Sequence, residues 1–163
     1  MARKQFKNFQ CSTAKTLELV GDWWTLLVVR DLFHGPRSFT ALTENLGVAR
    51  NILTDRLERM IADGLIEKAC PRAENERWVY RLTDKGRDLL PVMVALMQWG
   101  DRWVCGPGHE PLTIVDARDG RPIKALKLRA WDDRDLDLAD VRSKPGPGAD
   151  EHTREVFTRA GGV

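Results

Sequence analysis

The sequence lacks a run of about 18 apolar residues, the length that a membrane-spanning helix needs. Its basic start, residues 1–13, is not followed by an apolar stretch, so it does not have the pattern of a secretory signal. Only three cysteines occur, Cys11, Cys70 and Cys105, and their scattered positions fit neither a disulfide framework nor a zinc site. We therefore expect a cytoplasmic protein that has no membrane partner.

The motifs of common enzyme classes are also missing from the sequence. It has no Gly-rich phosphate loop, no nucleophile elbow and no cluster of metal ligands. The three histidines, His34, His109 and His152, lie far apart, which argues against a metal triad. We therefore expect no catalytic residue, no metal and no cofactor.

The composition is that of a soluble globular protein, with 42% hydrophobic and 31% charged residues in a chain of 163. The net charge of +2 is unevenly distributed. Residues 132–163 carry eight acidic and five basic side chains, a net of −3, which leaves +5 for residues 1–131. A mildly basic body with an acidic tail suits a nucleic-acid partner, although many ordinary protein surfaces have a similar charge.

The first long apolar pattern covers residues 14–33. Apolar side chains recur there every three or four positions, which predicts one continuous helix. Trp23, Leu26 and Val29 widen the apolar face, so we expect this helix to be buried on more than one side. Gly35 and Pro36 follow as helix breakers.

Two shorter helical patterns follow, over residues 39–46 and 48–64. Ser38 is a suitable N-cap for the first of them. Gly47 and Gly64 can take the left-handed conformation that ends a helix. The two helices are close together in sequence and joined by a tight turn, which predicts a helix-turn-helix.

Two predicted strands, residues 65–70 and 77–83, flank the polar turn 71–76 and form a hairpin directly after the helix-turn-helix. A long helix follows over residues 84–104, and Pro91 lies in its first turns, where proline is tolerated. This helix has more apolar side chains than a small core needs. The fold class is therefore mainly α with a small β-wing, a winged helix-turn-helix.

The chain after this helix has a different character. Asp119 and Gly120 form a good hairpin turn between two short apolar runs, which predicts a β-hairpin appendage over residues 106–145. Residues 146–163 are rich in Gly and Pro and then polar, so we predict a flexible tail. Residues 1–105 are then the winged helix-turn-helix domain.

The second helix of a helix-turn-helix enters the major groove of DNA, where its free face meets the base edges. Arginine pairs with guanine and asparagine with adenine, each by two hydrogen bonds. The predicted base-reading residues are Arg50, Asn51, Thr54 and Arg56. Neighbouring elements carry Arg37, Arg72 and Arg77, which we predict to contact phosphates and so to position the protein.

The sequence resembles the HxlR-type winged helix-turn-helix transcriptional regulators over residues 8–104. The stretches that carry the resemblance are CSTAKTLELVGDWWTLLVVRDLFHGPRSFTAL, LTDRLERMIADGLIEK, YRLTDKGRDLLPVM and QWGDRW. It implies a cytoplasmic homodimer that binds operator DNA and usually represses transcription. It also implies a dimer interface built from the N-terminal segment and the helix over residues 84–104. One departure is Ala49, because family members often begin the recognition helix with a better cap, such as serine.

Cys11 matches the N-terminal cysteine of this family, which senses oxidants or electrophiles in some relatives. Sensing requires a thiolate, which a helix N-terminus or nearby cations would favour. The alternative is a small apolar residue that is buried at the dimer interface. Cys70 and Cys105 have no motif, so we expect them to be packing residues.

Trp24, Trp99 and Trp103 are candidates for the dimer interface and for binding a small apolar effector. Tryptophan at helical spacing is more often part of a core, and Trp24 fits that role best. A small-molecule effector is thus a candidate partner, besides double-stranded operator DNA and a second copy of the chain.

Two functions compete with sequence-specific DNA binding. A winged helix can serve as a protein-interaction module, but that use needs an exposed apolar patch on the recognition helix, and the free face here is polar. An enzyme is the other alternative, and residues 106–163 are too short for a separate enzyme domain. DNA binding by a homodimeric regulator is therefore the leading prediction.

Overall fold

The computed structural model of the protein describes residues 9–69 and 78–159, with side chains to residue 157. It divides the chain into two compact units, residues 1–96 and residues 97–163, called here the first and second units. Each unit is described by itself. None of the helices in the described part of the chain is long and apolar enough to cross a membrane.

The first unit is mainly helical and has one small sheet. Its elements, in chain order, are α1 (Ser12–Val20), α2 (Trp23–Phe33), β1 (Arg37–Ser38), α3 (Phe39–Leu46), α4 (Arg50–Ala62), β2 (Ile66–Ala69), β3 (Val79–Leu82), α5 (Asp84–Arg87) and the beginning of α6 (Leu90–Gly100). The last turn of α6, from residue 97, belongs to the second unit. This order confirms the predicted winged helix-turn-helix, with α3 and α4 as the two helices.

The single helix predicted over residues 14–33 is wrong, because the chain breaks between α1 and α2. The N–H of Gly21 donates to Leu17 O at 2.8 Å and ends α1. Asp22 then caps α2, and its carboxylate accepts a hydrogen bond from the N–H of Trp24 at 3.0 Å. Trp23 is 84% exposed at this break, so the prediction that it widens a buried face is wrong, whereas Val29 is buried and Leu26 packs against the core as predicted.

The tight helix-turn-helix follows from local signals that the sequence makes visible. Ser38 caps α3, and its hydroxyl accepts a hydrogen bond from the N–H of Ala41 at 3.2 Å. Gly47 ends α3 with a φ of 62°, a left-handed conformation that costs glycine little. Ala49 precedes α4 and provides no capping hydrogen bond, as predicted from its side chain.

The core of the first unit lies between α2, α3, α4 and the sheet. Its most completely buried apolar side chains are Val28, Val29, Leu42, Leu53, Leu57, Met60, Leu65 and Ile66. Burying each of them contributes roughly 1.5–3 kcal/mol, so together they fix how α4 sits on the body. Trp24 and Phe39 pack against this cluster while remaining partly exposed.

The wing is the antiparallel pair of β2 and β3, and the sheet order is β1-β3-β2. Tyr80 of β3 lies opposite Lys68 of β2 and opposite Arg37 of β1, so the wing connects directly to the segment that begins α3. The wing tip, residues 70–77, lies outside the described residues.

The long helix predicted over residues 84–104 is divided into α5, α6 and a last π-helical turn, Asp101–Cys105. Thr83 caps α5, since its hydroxyl accepts a hydrogen bond from the N–H of Gly86 at 3.2 Å. Pro91 is the second residue of α6, as its tolerated position predicts.

The second unit contains short elements. They are β4 (Leu128–Arg129), β5 (Asp135–Leu136), a 3-10 turn (Leu138–Asp140) and α7 (Glu151–Arg159). The predicted hairpin at Asp119 and Gly120 is present, with one bridge between Val115 and Pro122. A second hairpin, β4–β5, and helix α7 were not predicted, and α7 falls in the segment for which the sequence predicted a flexible tail.

Candidate nucleic-acid interface

The candidate DNA-reading surface is the first turn and a half of α4. Arg50, Asn51 and Thr54 are all exposed there. The first turn of α4 has no acidic residue, and Ala49 supplies no side-chain cap, so the positive end of the helix dipole is not neutralised locally. The surface therefore combines free backbone N–H groups with an arginine, an amide and a hydroxyl, all of which can meet a nucleic acid.

Arg50 is held against α3. Its guanidinium carbon lies 4.7 Å from the centre of the Phe39 ring, a cation–π distance. The side chain is still exposed, so its N–H donors can meet a partner while the ring restricts their position. Thr54 lies one turn further along α4, and its hydroxyl donates to Arg50 O at 2.9 Å, which leaves the hydroxyl oxygen able to accept.

The structure corrects the prediction that Arg56 belongs to the reading face. Its guanidinium Nη2 lies 2.7 Å from Asp22 Oδ2, and only 13% of its side chain is exposed. Asp22 is also the N-cap of α2, so this ion pair fastens α4 to the beginning of α2. The physical reason is that a partly buried carboxylate outcompetes solvent for the guanidinium. Arg56 therefore contacts the N-cap residue of α2 and is mostly sheltered from solvent.

The C-terminal half of α4 faces the wing strand. Burial raises the pKa of Tyr80 in β3, and the negative charge of Glu58 in α4 raises it further. Glu58 and Tyr80 thus lie within electrostatic reach of each other. Since β3 also pairs with β1, one sheet joins both wing strands to the segment that carries Arg37.

Among the predicted phosphate contacts, Arg37 is exposed on β1, whereas Arg72 and Arg77 lie outside the described residues. The sequence reading missed Lys68, which is exposed on β2 near the wing tip. Its ammonium lies 5.1 Å from the centre of the Trp78 ring across the hairpin. The predicted hairpin could have identified Lys68, because it places this lysine on the first wing strand, opposite Tyr80 on the second.

Cys11 is the N-cap residue of α1 and is exposed. Its thiol makes no regular capping hydrogen bond, but the N–H groups of Ala14 and Thr13 favour the thiolate and lower the pKa of Cys11 below its ordinary value. Lys15 is nearby in sequence, and its ammonium donates to Gln10 Oε1 at 3.4 Å. Exposure in a single chain fits both predictions for Cys11, a reactive thiolate and a thiol that a dimer interface covers.

The remaining candidate residues are three tryptophans and two cysteines, and they differ in how far they are buried. Trp24 packs against the core, whereas Trp99 and Trp103 are exposed in the second unit. Cys105 is exposed, so its prediction as a packing residue is wrong, and Cys70 lies outside the described residues. Within the two described ranges, no group of three His, Cys, Asp or Glu side chains is placed to hold a metal ion.

Comparison with known proteins gives the family. The HxlR-like helix-turn-helix family matches residues 19–106. The uncharacterized HTH-type transcriptional regulator Rv3095 of Mycobacterium tuberculosis is 36% identical over 137 residues, which are 84% of this chain and 87% of that protein.

Two solved structures extend the likeness beyond the family match. PA1607, a candidate transcription factor, superposes with a TM-score of 0.81 at 34% identity and covers 88% of this chain and 100% of its own. PA1374 of Pseudomonas aeruginosa, another candidate transcription factor, has a TM-score of 0.62 at 32% identity and covers 90% and 99%. The named relatives are regulators of transcription and not enzymes. The chain thus belongs to the HxlR family of DNA-binding, winged helix-turn-helix transcriptional regulators.

Proposed function

We propose that this protein is a homodimeric repressor that occupies a specific operator and reads its bases with the first turns of α4. The observation that carries the proposal is the exposed group of Arg50, Asn51 and Thr54 on the uncapped N-terminus of that helix. A major groove admits an α-helix, and these three side chains supply the donors and acceptors that base edges require.

The base contacts follow from the chemistry of each side chain. Arg50, steadied by the Phe39 ring, offers two parallel N–H donors to a guanine. Asn51 offers one donor and one acceptor, which match the edge of an adenine. Arg37 and Lys68 contact phosphates on either side of the groove, and Arg72 and Arg77 remain predicted phosphate contacts.

Dimerisation is supported by the apolar side chains that a single chain leaves in water. Leu17 of α1 and Leu90, Val92 and Leu96 of α6 are each between 45% and 51% exposed. Trp99 and Trp103 are exposed as well. Apolar residues in such numbers on two helices are typical of a subunit interface.

A dimer then presents two copies of α4 to half-sites about one helical turn, roughly 34 Å, apart. Repression follows when the bound dimer covers the site that the polymerase needs.

A response to oxidants through Cys11 belongs to the same proposal. The lowered pKa of Cys11 raises the fraction of thiolate, the form that attacks a peroxide. The sulfur is oxidised to a sulfenic acid and the peroxide is reduced, with one oxygen leaving as water. Because Cys11 begins α1, which also carries Leu17, the added oxygen would disturb the proposed dimer interface.

The test is in vitro selection of DNA by the reduced protein from a random library, followed by fluorescence anisotropy on the enriched sequence. A palindromic sequence, bound by two chains and released as salt is raised, supports the regulator. Peroxide should weaken binding by the wild type and leave Cys11→Ser unaffected. If no sequence is enriched, α4 does not read bases, and the protein-interaction module becomes the better account.

A further inference from the structure

The first unit contains a cavity of about 450 Å³ beside β3, the second strand of the wing. It is lined by the end of α2, the turn after it, β3 and the adjoining ends of α5 and α6: Leu32, Phe33, Gly35, Pro36, Arg81, Leu82, Arg87 and Leu90. Its volume falls within the range of roughly 300–1,000 Å³ that small-molecule sites occupy in proteins. None of the DNA contacts proposed above lines it.

The cavity wall has two chemically different parts. Leu32 and Leu82 are buried, and with Phe33 they give the cavity an apolar floor that belongs to the core or packs against it. Arg81 and Arg87 supply two guanidinium groups, and both side chains are more than half exposed. An apolar floor with two cations selects a ligand that has an apolar body and an anionic end.

The existing ion pairs of these arginines leave room for such a ligand. Arg81 Nε donates to Glu67 at 2.6 Å and Arg87 Nη1 donates to Asp84 at 2.6 Å, so each contact uses one of five N–H donors. Neither carboxylate lines the cavity. Both pairs are exposed, and exposed pairs contribute little, so they can share or exchange partners with an incoming anion.

We propose that this cavity is an effector site for a small aromatic carboxylate. The ring of the ligand packs on Leu32, Phe33 and Leu82, and its carboxylate accepts hydrogen bonds from Arg81 and Arg87. The site differs from the tryptophan-lined interface that the sequence suggested for an effector, because it lies wholly within residues 32–90 of one chain.

The position of the cavity connects it to DNA binding, a step that rests on the proposed function. Pro36 immediately precedes Arg37, and Arg81 immediately follows Tyr80, while Arg37 and Tyr80 are paired in the sheet. A ligand in the cavity therefore contacts Pro36, which is next to Arg37 in the chain, and Arg81, which is next to Tyr80. Occupancy shifts β1 against β3, and so changes where Arg37 and the wing meet the phosphates.

The test uses the full-length protein and three defined probes, 2-naphthoate, benzoate and 4-phenylbutyrate, measured by calorimetry. The neutral 2-naphthamide tests the need for charge, and acetate tests the need for an apolar body. We expect at least one aromatic carboxylate to bind with a Kd below about 1 mM, and the amide and acetate to bind at least about tenfold more weakly.

Arg81→Gln and Arg87→Gln should each weaken the carboxylate about tenfold or more, because each removes a charge-assisted hydrogen bond. Arg118→Gln is the matched control: Arg118 also forms an exposed ion pair, with Asp116 at 3.1 Å, but does not line the cavity. Circular dichroism checks that each variant is folded. The proposal is overturned if no aromatic carboxylate binds better than acetate, or if both cavity variants bind as tightly as Arg118→Gln.

DNA anisotropy then tests the regulatory step separately. Saturating carboxylate should change operator affinity by about fivefold or more in the wild type, the size of an ordinary allosteric coupling. Arg87→Gln should lose that response. Carboxylate binding without a change in DNA affinity overturns the coupling but not the site. If no operator exists, calorimetry still decides the site, so its failure and that of the proposed function are distinguishable.

Discussion

Gly86 lies against the backbone that enters β2. A Cβ at this position would come within 2.1 Å of Leu65 O, which no real side-chain carbon tolerates. The same carbonyl accepts a hydrogen bond from the N–H of Thr83 at 3.1 Å, and the Thr83 hydroxyl also donates to Gly64 O at 2.6 Å. One glycine and one threonine therefore fix the joint between the wing and the helices that follow it.

Gly86→Ala should lower the free energy of unfolding by about 1–3 kcal/mol, because the added methyl group displaces either α5 or the backbone at Leu65. Urea denaturation monitored by circular dichroism measures the change. The control is Gly100→Ala, whose added Cβ meets nothing within 4 Å in helical backbone, and which should stabilise by up to about 1 kcal/mol. Equal stabilities of the two variants would contradict this account of the joint.

The pKa of Cys11 gives a second prediction at the scale of a single residue. In a variant with Cys70→Ser and Cys105→Ser, the alkylation rate of Cys11 should rise with pH along the thiolate fraction. The N–H groups of Ala14 and Thr13 lower the pKa of Cys11. The pH at which the alkylation rate reaches half its maximum should therefore be lower for the folded protein than for the urea-unfolded protein. Stopped-flow alkylation measures both midpoints, and a midpoint that is the same or higher in the folded protein would refute the lowered pKa of Cys11.

At the scale of elements, α4 is anchored to α2 by the ion pair of Arg56 with Asp22, and not by packing alone. Both side chains are mostly sheltered, with 13% and 26% exposed. We expect the pair to hold α4 at a fixed angle to α2, and so to position Asn51 near the beginning of α4. We expect changes to the pair to alter how strongly DNA is bound, but not which bases are preferred.

Asp22→Asn should keep the cap on α2 while removing the charge that holds Arg56. We expect a loss of about 1–2 kcal/mol in the free energy of unfolding, since a hydrogen bond between charged groups is weakened in a partly sheltered site. Operator affinity should fall for all sequences alike. Glu67→Gln removes the acid of an exposed pair and should change stability by less than about 0.5 kcal/mol. A change of base preference in Asp22→Asn would show that the pair does more than position α4.

The same elements show which features a sequence can predict. Helices α3 and α4 were predictable because Ser38, Gly47 and Gly64 carry their own start and stop signals. The break at Gly21 was missed because apolar spacing continues across it, and only the capping contact of Asp22 reveals the new helix. Arg56 was assigned to the reading face because its partner, Asp22, is distant in sequence, and a pair formed by folding leaves no local signal.

At the scale of the whole molecule, the charge is unevenly distributed along the chain. Residues 1–131 have a net charge of +5 and residues 132–163 a net charge of −3. The basic side chains proposed to meet phosphates, Arg37, Lys68, Arg72 and Arg77, number four per chain, so a dimer would neutralise about eight phosphates. The log of the affinity should then fall against the log of the salt concentration with a slope of about −7.

Lys68→Ala tests the number of phosphate contacts. Lys68 is the one member of the four that the structure of the wing added to the contacts predicted from the sequence. Losing one phosphate contact in each half of the dimer should make the slope shallower by about 2 and weaken all sequences equally. Anisotropy between 50 and 200 mM salt measures it. Lys144→Ala, which removes an exposed lysine of the second unit, is the control and should leave the slope unchanged. An unaltered slope in Lys68→Ala would remove the wing from the interface.

The most direct test of base reading by α4 is the affinity of wild type and Asn51→Ala for every single-base variant of the selected operator. We predict that Asn51→Ala loses about 1–3 kcal/mol of discrimination at one base pair in each half-site and keeps the preferences elsewhere. Arg56→Ala should bind more weakly without that local loss. If Asn51→Ala keeps the full base preference of the wild type, α4 does not read the operator in the way proposed.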